Sequence, residues 1–470
     1  TMRAINCGLA IVLAACLLAQ VAMASSMKVD SNLQVKKTRG IFVNRVDHFD
    51  ALNEKTYHQH YWIEDSYASS KHAPVFFFLG GEAPLDFFDF QEVSALAWAK
   101  QYGAYYMALE HRYYGDSSPV TDLATHNMRY LSSEQALADA AMFVESMQTQ
   151  YTGPWIVFGC SYSGSLSAWF RMKYPHLVIG SIAPSGPVIP QANFTQFFQN
   201  FENVAGESCI ASTTRAVKSI NALYLTAEGR SKLSTYFNAC KPLQKEDEFM
   251  FKWTITEFLA TTAQWQNPPG NQLWQACDYF VKTSDPVVAW GNAYTQMQNA
   301  PAPPVCTTFT DEAFLAPIKD VKLGNIDRAW YFQKCTEFGF FQVGYPKSSI
   351  FFGDMTLERV NFCQKIFGIH GMAPNTKWTQ AEYGALKLAG SNILFTNGMF
   401  DPWHTISVIQ PEGMVDAITY EAAHCAPMTA PTDNDPPSLT NARVSVVQFL
   451  GRLLNNHRSE MFQKLTKQDL

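Results

Sequence analysis

The order of apolar and polar positions along the chain changes texture twice. From Pro74, the run Val75-Phe76-Phe77-Phe78-Leu79 is continuously apolar and stops at Gly80-Gly81, as expected of a strand buried on both faces of a parallel sheet. Residues 87–102 then place Phe90, Val93 and Ala97 at helical spacing, and residues 104–109 read as a second strand. Ser132-Ser133-Glu134-Gln135 offers a capping box at the head of a helix reaching Met147. Trp155-Ile156-Val157-Phe158 is another buried strand, residues 163–173 another helix and residues 179–183 another strand. Strand and helix alternating in this way predict a doubly wound α/β sheet.

After Pro190 the pattern shifts. Residues 193–385 carry clustered cysteines, many Gln, Asn and Trp residues, helical spacing at 213–225 and 247–258, and few strand-like runs. This segment reads as a mainly helical insertion, with Pro301-Ala302-Pro303-Pro304 as a turn inside it. The sheet pattern resumes at Asn392-Ile393-Leu394-Phe395-Thr396, continues at 417–420 and ends in a helix over residues 441–455. One sheet is therefore expected from two distant pieces, 40–192 and 386–470, with 193–385 as a cap.

Composition narrows the classes. Of the 470 residues 47% are hydrophobic and only 16% charged, which excludes disordered and coiled-coil chains. A net charge of -6 without a basic run speaks against nucleic-acid binding. Peptides or small molecules are the partners expected, and a homodimer is left open. Arg3, the apolar stretch 8–21 and Ala22-Met23-Ala24 before Ser25 have the layout of a secretory signal peptide over residues 1–24. An uncleaved anchor is the alternative, but the stretch is short for a hydrocarbon core of roughly 30 Å. The expected destination is extracellular or lysosomal/vacuolar.

Cleavage there removes Cys7 and Cys16 and leaves Cys160, Cys209, Cys240, Cys277, Cys306, Cys335, Cys363 and Cys425. An even number in an exported chain reads as disulfides. With no Cys-x-x-Cys or Cys/His zinc spacing, neither a metal nor a cofactor is expected. The six between Cys209 and Cys363 allow about 15 pairings. Asn193-Phe194-Thr195 is an N-glycosylation acceptor.

The chemistry concentrates at Gly159-Cys160-Ser161-Tyr162-Ser163-Gly164, where a buried strand turns directly into a helix. A serine on such a turn is held on strained backbone with its hydroxyl exposed, and its neighbours two before and two after must be small. Gly159 and Ser163 fill those places, so the pattern departs from G-x-S-x-G at its last position. Serine needs a base oriented by a carboxylate, and in this architecture the partners follow in the order Ser, Asp, His, on loops after strands. Asp401 in Gly398-Met399-Phe400-Asp401-Pro402-Trp403 and His424 in Ala422-Ala423-His424-Cys425 fit that order. His404 is the rival base, but it shares a loop with Asp401.

The oxyanion donors expected are the backbone N–H groups of Tyr162 and Gly81, although Gly80-Gly81 also reads as an ordinary turn. A working triad would bring Cys160, before the serine, close to Cys425, after the histidine. A Cys160–Cys425 disulfide is therefore expected, with two free thiols as the alternative; Cα atoms beyond about 7 Å would exclude it. A similar Cys-Ser, Asp, His-Cys arrangement occurs in the tannase and feruloyl esterase family, which makes an esterase the second functional reading. A secreted binding protein on a decayed hydrolase scaffold is a third, against which stand three filled triad positions.

Four blocks carry a resemblance. Arg45-Val46-Asp47-His48-Phe49, the stretch Glu110-His111-Arg112-Tyr113-Tyr114-Gly115-Asp116-Ser117, the elbow with Ala168-Trp169-Phe170-Arg171-Met172-Lys173-Tyr174-Pro175-His176, and Asn397-Gly398 through Asp401-Pro402-Trp403 resemble the family of prolyl carboxypeptidase, dipeptidyl peptidase II and thymus-specific serine protease. The resemblance implies an α/β-hydrolase core with a helical cap, and Ser161, Asp401 and His424 as a serine-peptidase triad. It also implies exopeptidase action on short peptides, after proline in the first two types, with Trp403 beside the proline pocket. Family members usually carry Gly or Ala at the place of Ser163, Gly at that of Cys160 and often Met at that of Ser165. The His-Cys pair looks more like the thymus-specific branch. Carboxypeptidase and dipeptidyl-peptidase action both stay open.

Overall fold

The computed structural model describes residues 37–85, 94–298, 303–345, 348, 351–353 and 355–468. The signal-peptide reading, the first half of the helix expected over 87–102 and part of the proline turn fall outside them.

The core is an eight-stranded sheet in the order β1-β2-β4-β3-β5-β6-β9-β10. Strands β1 (Lys37–Arg45) and β2 (Thr56–Glu64) form an antiparallel ribbon, and β2 runs antiparallel to β4 (Tyr105–Leu109). From there β3 (Val75–Leu79), β5 (Trp155–Phe158), β6 (Gly180–Pro184), β9 (Ile393–Gly398) and β10 (Val415–Tyr420) continue in parallel. Residues of β3, β5, β6 and β9 are buried throughout, which is why β3 and β5 read as unbroken apolar runs. The β6–β9 pairing joins the two sequence-distant pieces side by side.

Helices cover both faces. Val75, Phe77 and Leu79 pack against one layer with Phe143, Val144, Leu166 and Trp169. Those side chains come from α2 (Ser133–Met147) and α3 (Tyr162–Lys173). Phe76 and Phe78 point the other way, toward α1 (Ser94–Tyr102) and the closing helix. Ser132 caps α2 by accepting from Gln135 N at 3.2 Å, but the second half of the expected capping box does not form. The Gln135 side chain instead donates to Asp47 Oδ1 at 2.6 Å and accepts from His48 N at 3.0 Å, tying α2 to the β1–β2 ribbon.

The ribbon was not legible as strands because buried polar pairs interrupt its apolar alternation. Asn44 and Gln59 are both buried and share a 2.7 Å hydrogen bond. Behind them sits a buried ion pair: Arg112 Nε and one of its terminal nitrogens donate to the two Asp139 oxygens at 2.6 and 2.7 Å. His48 Nε2 and the Tyr57 hydroxyl close on the same carboxylate at 2.7 and 2.8 Å. Arg112 also donates to the carbonyls of Val46 and Tyr130. Two of the sequence blocks singled out above thus meet in one network.

Between β6 and β9 the chain builds the cap from α4 (Gln196–Val204), α5 (Glu207–Tyr224), α6 (Ala227–Tyr236), α7 (Glu248–Gln264), α8 (Gln272–Lys282), α9 (Pro286–Met297), α10 (Asp311–Lys319) and α11 (Ile326–Gln333). The shorter helices α12 (Leu357–Val360), α13 (Cys363–Phe367) and α14 (Thr376–Tyr383) follow. Disulfides Cys209–Cys277, Cys240–Cys306 and Cys335–Cys363 staple it. A small parallel pair, β7 (Gln191–Phe194) with β8 (Gly339–Gln342), flanks and interrupts the mainly helical insert. Four-residue strands are too short to show a period. Asn193 lies exposed on β7.

The closing helix α15 (Pro437–Gln468) is longer than the apolar pattern indicated. Val446, Phe449, Leu450, Leu453 and Leu454 form its core stripe, and the helix continues past them. Among the described residues no helix is long and apolar enough to cross a membrane.

Candidate active site

The turn from β5 into α3 puts Ser161 at φ 62° and ψ -131°, a conformation that L-residues rarely hold. Two close approaches enforce it. A Cβ added at Gly159 would lie 1.9 Å from the Ser163 carbonyl oxygen, and one at Gly164 would lie 2.5 Å from the Pro184 oxygen. Ser163, the departure from the usual pattern, uses its hydroxyl across the turn, donating to the Cys160 carbonyl and accepting from Cys160 N, both at 2.8 Å. Gly159→Ala should therefore force the strand and helix apart. We expect a loss of about 2–3 kcal/mol in urea unfolding, with the secondary-structure content of the folded fraction retained.

Asp401 leaves the end of β9, is completely buried, and places Oδ2 2.7 Å from His424 Nδ1. His404 turns its ring to the Asp401 backbone carbonyl at 2.7 Å rather than to the carboxylate. The structure therefore brings His424, not His404, to the carboxylate. Asp401 Oδ1 accepts from Trp403 N at 3.1 Å, which fixes the loop as well as the imidazole.

The segments bearing His424 and Ser161 are tied together through their neighbours. Cys160 and Cys425 are paired, with Cα atoms 5.9 Å apart. A ring nitrogen of His424 and the two sulfurs all lie within 4.8 Å of one another. The Ser161 hydroxyl itself is directed at Glu82 Oε1, 3.4 Å away.

Gly81 abuts the elbow from the loop after β3, and a Cβ there would meet the Ser163 Cβ at 3.3 Å. No backbone carbonyl among the described residues takes the N–H of Gly81 or of Tyr162. The Tyr162 ring is anchored below: its hydroxyl lies 3.1 Å from His111 Nε2 and accepts from Gln333 Nε2 at 2.9 Å. Burial pushes His111 down to about 4, so it stays neutral there.

Trp403 packs its ring on Phe194, Phe197 and Phe340, with centroids 5.1, 6.0 and 5.3 Å away. Its Nε1–H donates to the Gln264 side chain at 3.0 Å.

The cap reaches into this site through residues that sequence reasoning missed. The Gln264 carbonyl, at the end of α7, accepts from His424 N at 3.1 Å. Asn267 grips the same segment twice, accepting from Ala423 N at 2.7 Å and donating to the His424 carbonyl at 2.8 Å. Nothing local in residues 264–267 marks them, because their partners lie more than 150 positions away along the chain. Glu82 had a readable signal, since it directly follows the expected oxyanion glycine.

The chain is similar to known proteins over most of its length. The family model described as Serine carboxypeptidase S28 matches residues 44–446. The thymus-specific serine protease of Mus musculus is 30% identical over 439 residues, covering 86% of this chain and 85% of that protein. The lysosomal Pro-X carboxypeptidase of Homo sapiens is 28% identical, covering 87% and 86%. Among solved structures, the proline iminopeptidase of Mycobacterium smegmatis aligns with a TM-score of 0.39 at 11% identity, over 89% of this chain and all of that one. The protein belongs to the serine carboxypeptidase S28 family and is a serine peptidase.

Proposed function

We propose that the protein is an exopeptidase of the secretory pathway or lysosome that cleaves short peptides with Ser161, His424 and Asp401 as its triad. One observation carries the reading: a fully buried carboxylate holds the His424 ring at 2.7 Å, on a loop bridged by Cys160–Cys425 to the strained turn bearing Ser161. In this reading Ser161 Oγ attacks the scissile carbonyl carbon while His424 Nε2 takes the hydroxyl proton. The N–H groups of Tyr162 and Gly81 receive the oxyanion. Collapse breaks the C–N bond, and His424 returns the proton to the leaving amine. Water, deprotonated by the same ring, then releases the acyl group and restores Ser161.

The cap, read as one unit over residues 193–385, would limit access to chain ends. Trp403 and its surrounding phenylalanines offer a flat aromatic wall of the kind that suits a proline ring. The Pro-X specificity in the name of the human relative belongs to that protein; we extend to this chain a preference for cleavage after proline. Mass spectrometry of a peptide library after incubation should show single-end shortening after proline. Internal cuts, or turnover confined to aromatic esters, would favour an endopeptidase or the esterase reading.

The grip of the cap on the base has its own consequence. Asn267→Ala removes both side-chain hydrogen bonds to residues 423–424 and should lower kcat about 100-fold with little change in KM. A rise in KM with kcat unchanged would place Asn267 in substrate binding instead.

A further inference from the structure

The mechanism above leaves one carboxyl unused in the middle of the site. Glu82 directly follows the candidate oxyanion donor Gly81 in the chain and places its Oε1 3.4 Å from Oγ of the candidate nucleophile Ser161. That is long for a formed O–H···O bond, yet it is the direction the hydroxyl takes in this structure. Groups acting on Glu82 come from three sides. His424 faces it from the loop after β10, Ser161 from the elbow, and the Tyr114 phenol from the loop after β4. No Lys or Arg is among them.

We propose that Glu82 is a proton-operated gate on Ser161: neutral, it leaves the hydroxyl free to turn to His424, and ionised, it draws the hydroxyl proton away from the base. The gate rests on the triad reading given above. An ionised Glu82 also sets a negative charge beside the place where the oxyanion must form, whereas the neutral acid offers a donor there. Burial raises the Glu82 carboxyl above its ordinary range, and the hydrogen bond from its own backbone N–H, the charge of His424 and the hydrogen bond from Ser161 offset this only in part. The neutral form therefore persists to higher pH than for a solvated glutamate, and activity is lost as pH rises through that titration.

The test is kcat/KM from pH 4 to 9, with fluorophosphonate labelling rates over the same range, for the wild type, Glu82→Gln and Ser161→Ala. Glu82→Gln is permanently neutral, so it should keep the acid-side activity and lose the alkaline decline. Its ratio to wild type should climb about tenfold or more between pH 5 and pH 8. A variant that declines with pH as the wild type does, or falls further behind it at high pH, overturns the gate. If Glu82→Gln does not fold, Glu82→Asp draws the carboxyl back by one methylene and should shift the decline; an unmoved profile would reject the proposal. Turnover surviving in Ser161→Ala would instead remove the triad reading itself.

Discussion

Asp401→Asn lowers kcat by about 10⁴-fold while the protein stays folded. The carboxylate accepts from His424 Nδ1 at 2.7 Å in a fully buried position. An amide can turn its NH2 toward that nitrogen and hold the wrong tautomer, leaving Nε2 protonated and unable to act as base. The Trp403 N–H still finds an oxygen, so the loop after β9 should keep its shape. Ser161→Ala should cost more, about 10⁶-fold. Steady-state kinetics on an X-Pro peptide, with circular dichroism to confirm folding, separates these effects. A loss below tenfold for Asp401→Asn would mean that another group orients the ring.

The second large effect concerns stability. Asp139→Ala should destabilise the core by about 3–5 kcal/mol, a large share of the 5–15 kcal/mol that holds a typical domain together. Arg112 would keep its buried position and its carbonyl partners but lose the only carboxylate it bonds to among the described residues. Burial alone would raise the Asp139 carboxyl. The Arg112 charge and its hydrogen bonds, with His48, outweigh that and hold it below the ordinary range. Its contribution is therefore present above the unfolded value of about 3.9 and fades as pH falls through the folded one. Urea unfolding across pH 2–7 should show the gap between wild type and variant narrowing at the acid end. A gap independent of pH would assign the loss to packing rather than charge.

Asp401 and His424 could be picked out by loop placement, since each stands after an expected strand, over 392–396 or 417–420, and the order Ser, Asp, His leaves few alternatives. The elbow was legible because the apolar run Trp155–Phe158 turns straight into a helix, and Ser163 departs from the usual pattern only in form, since Gly164 takes the close contact with β6. The β1–β2 ribbon was not legible because its buried positions include Asn44 and Gln59, polar residues satisfied by partners that only the folded chain supplies. Asn267 and Gln264 were hidden for a related reason. Apart from the Gln264 side chain on Trp403, they bond from the cap to the backbone of residues 423–424, and such contacts leave no periodicity and need no particular residue at the other end.

The most direct test of the account is to treat the protein with a fluorophosphonate and map the adduct by mass spectrometry. The account predicts a single covalent adduct on Ser161, in a peptide linked through Cys160 to Cys425 until reduction, and no adduct in Ser161→Ala. Labelling at another serine, or undiminished labelling of that variant, would contradict it.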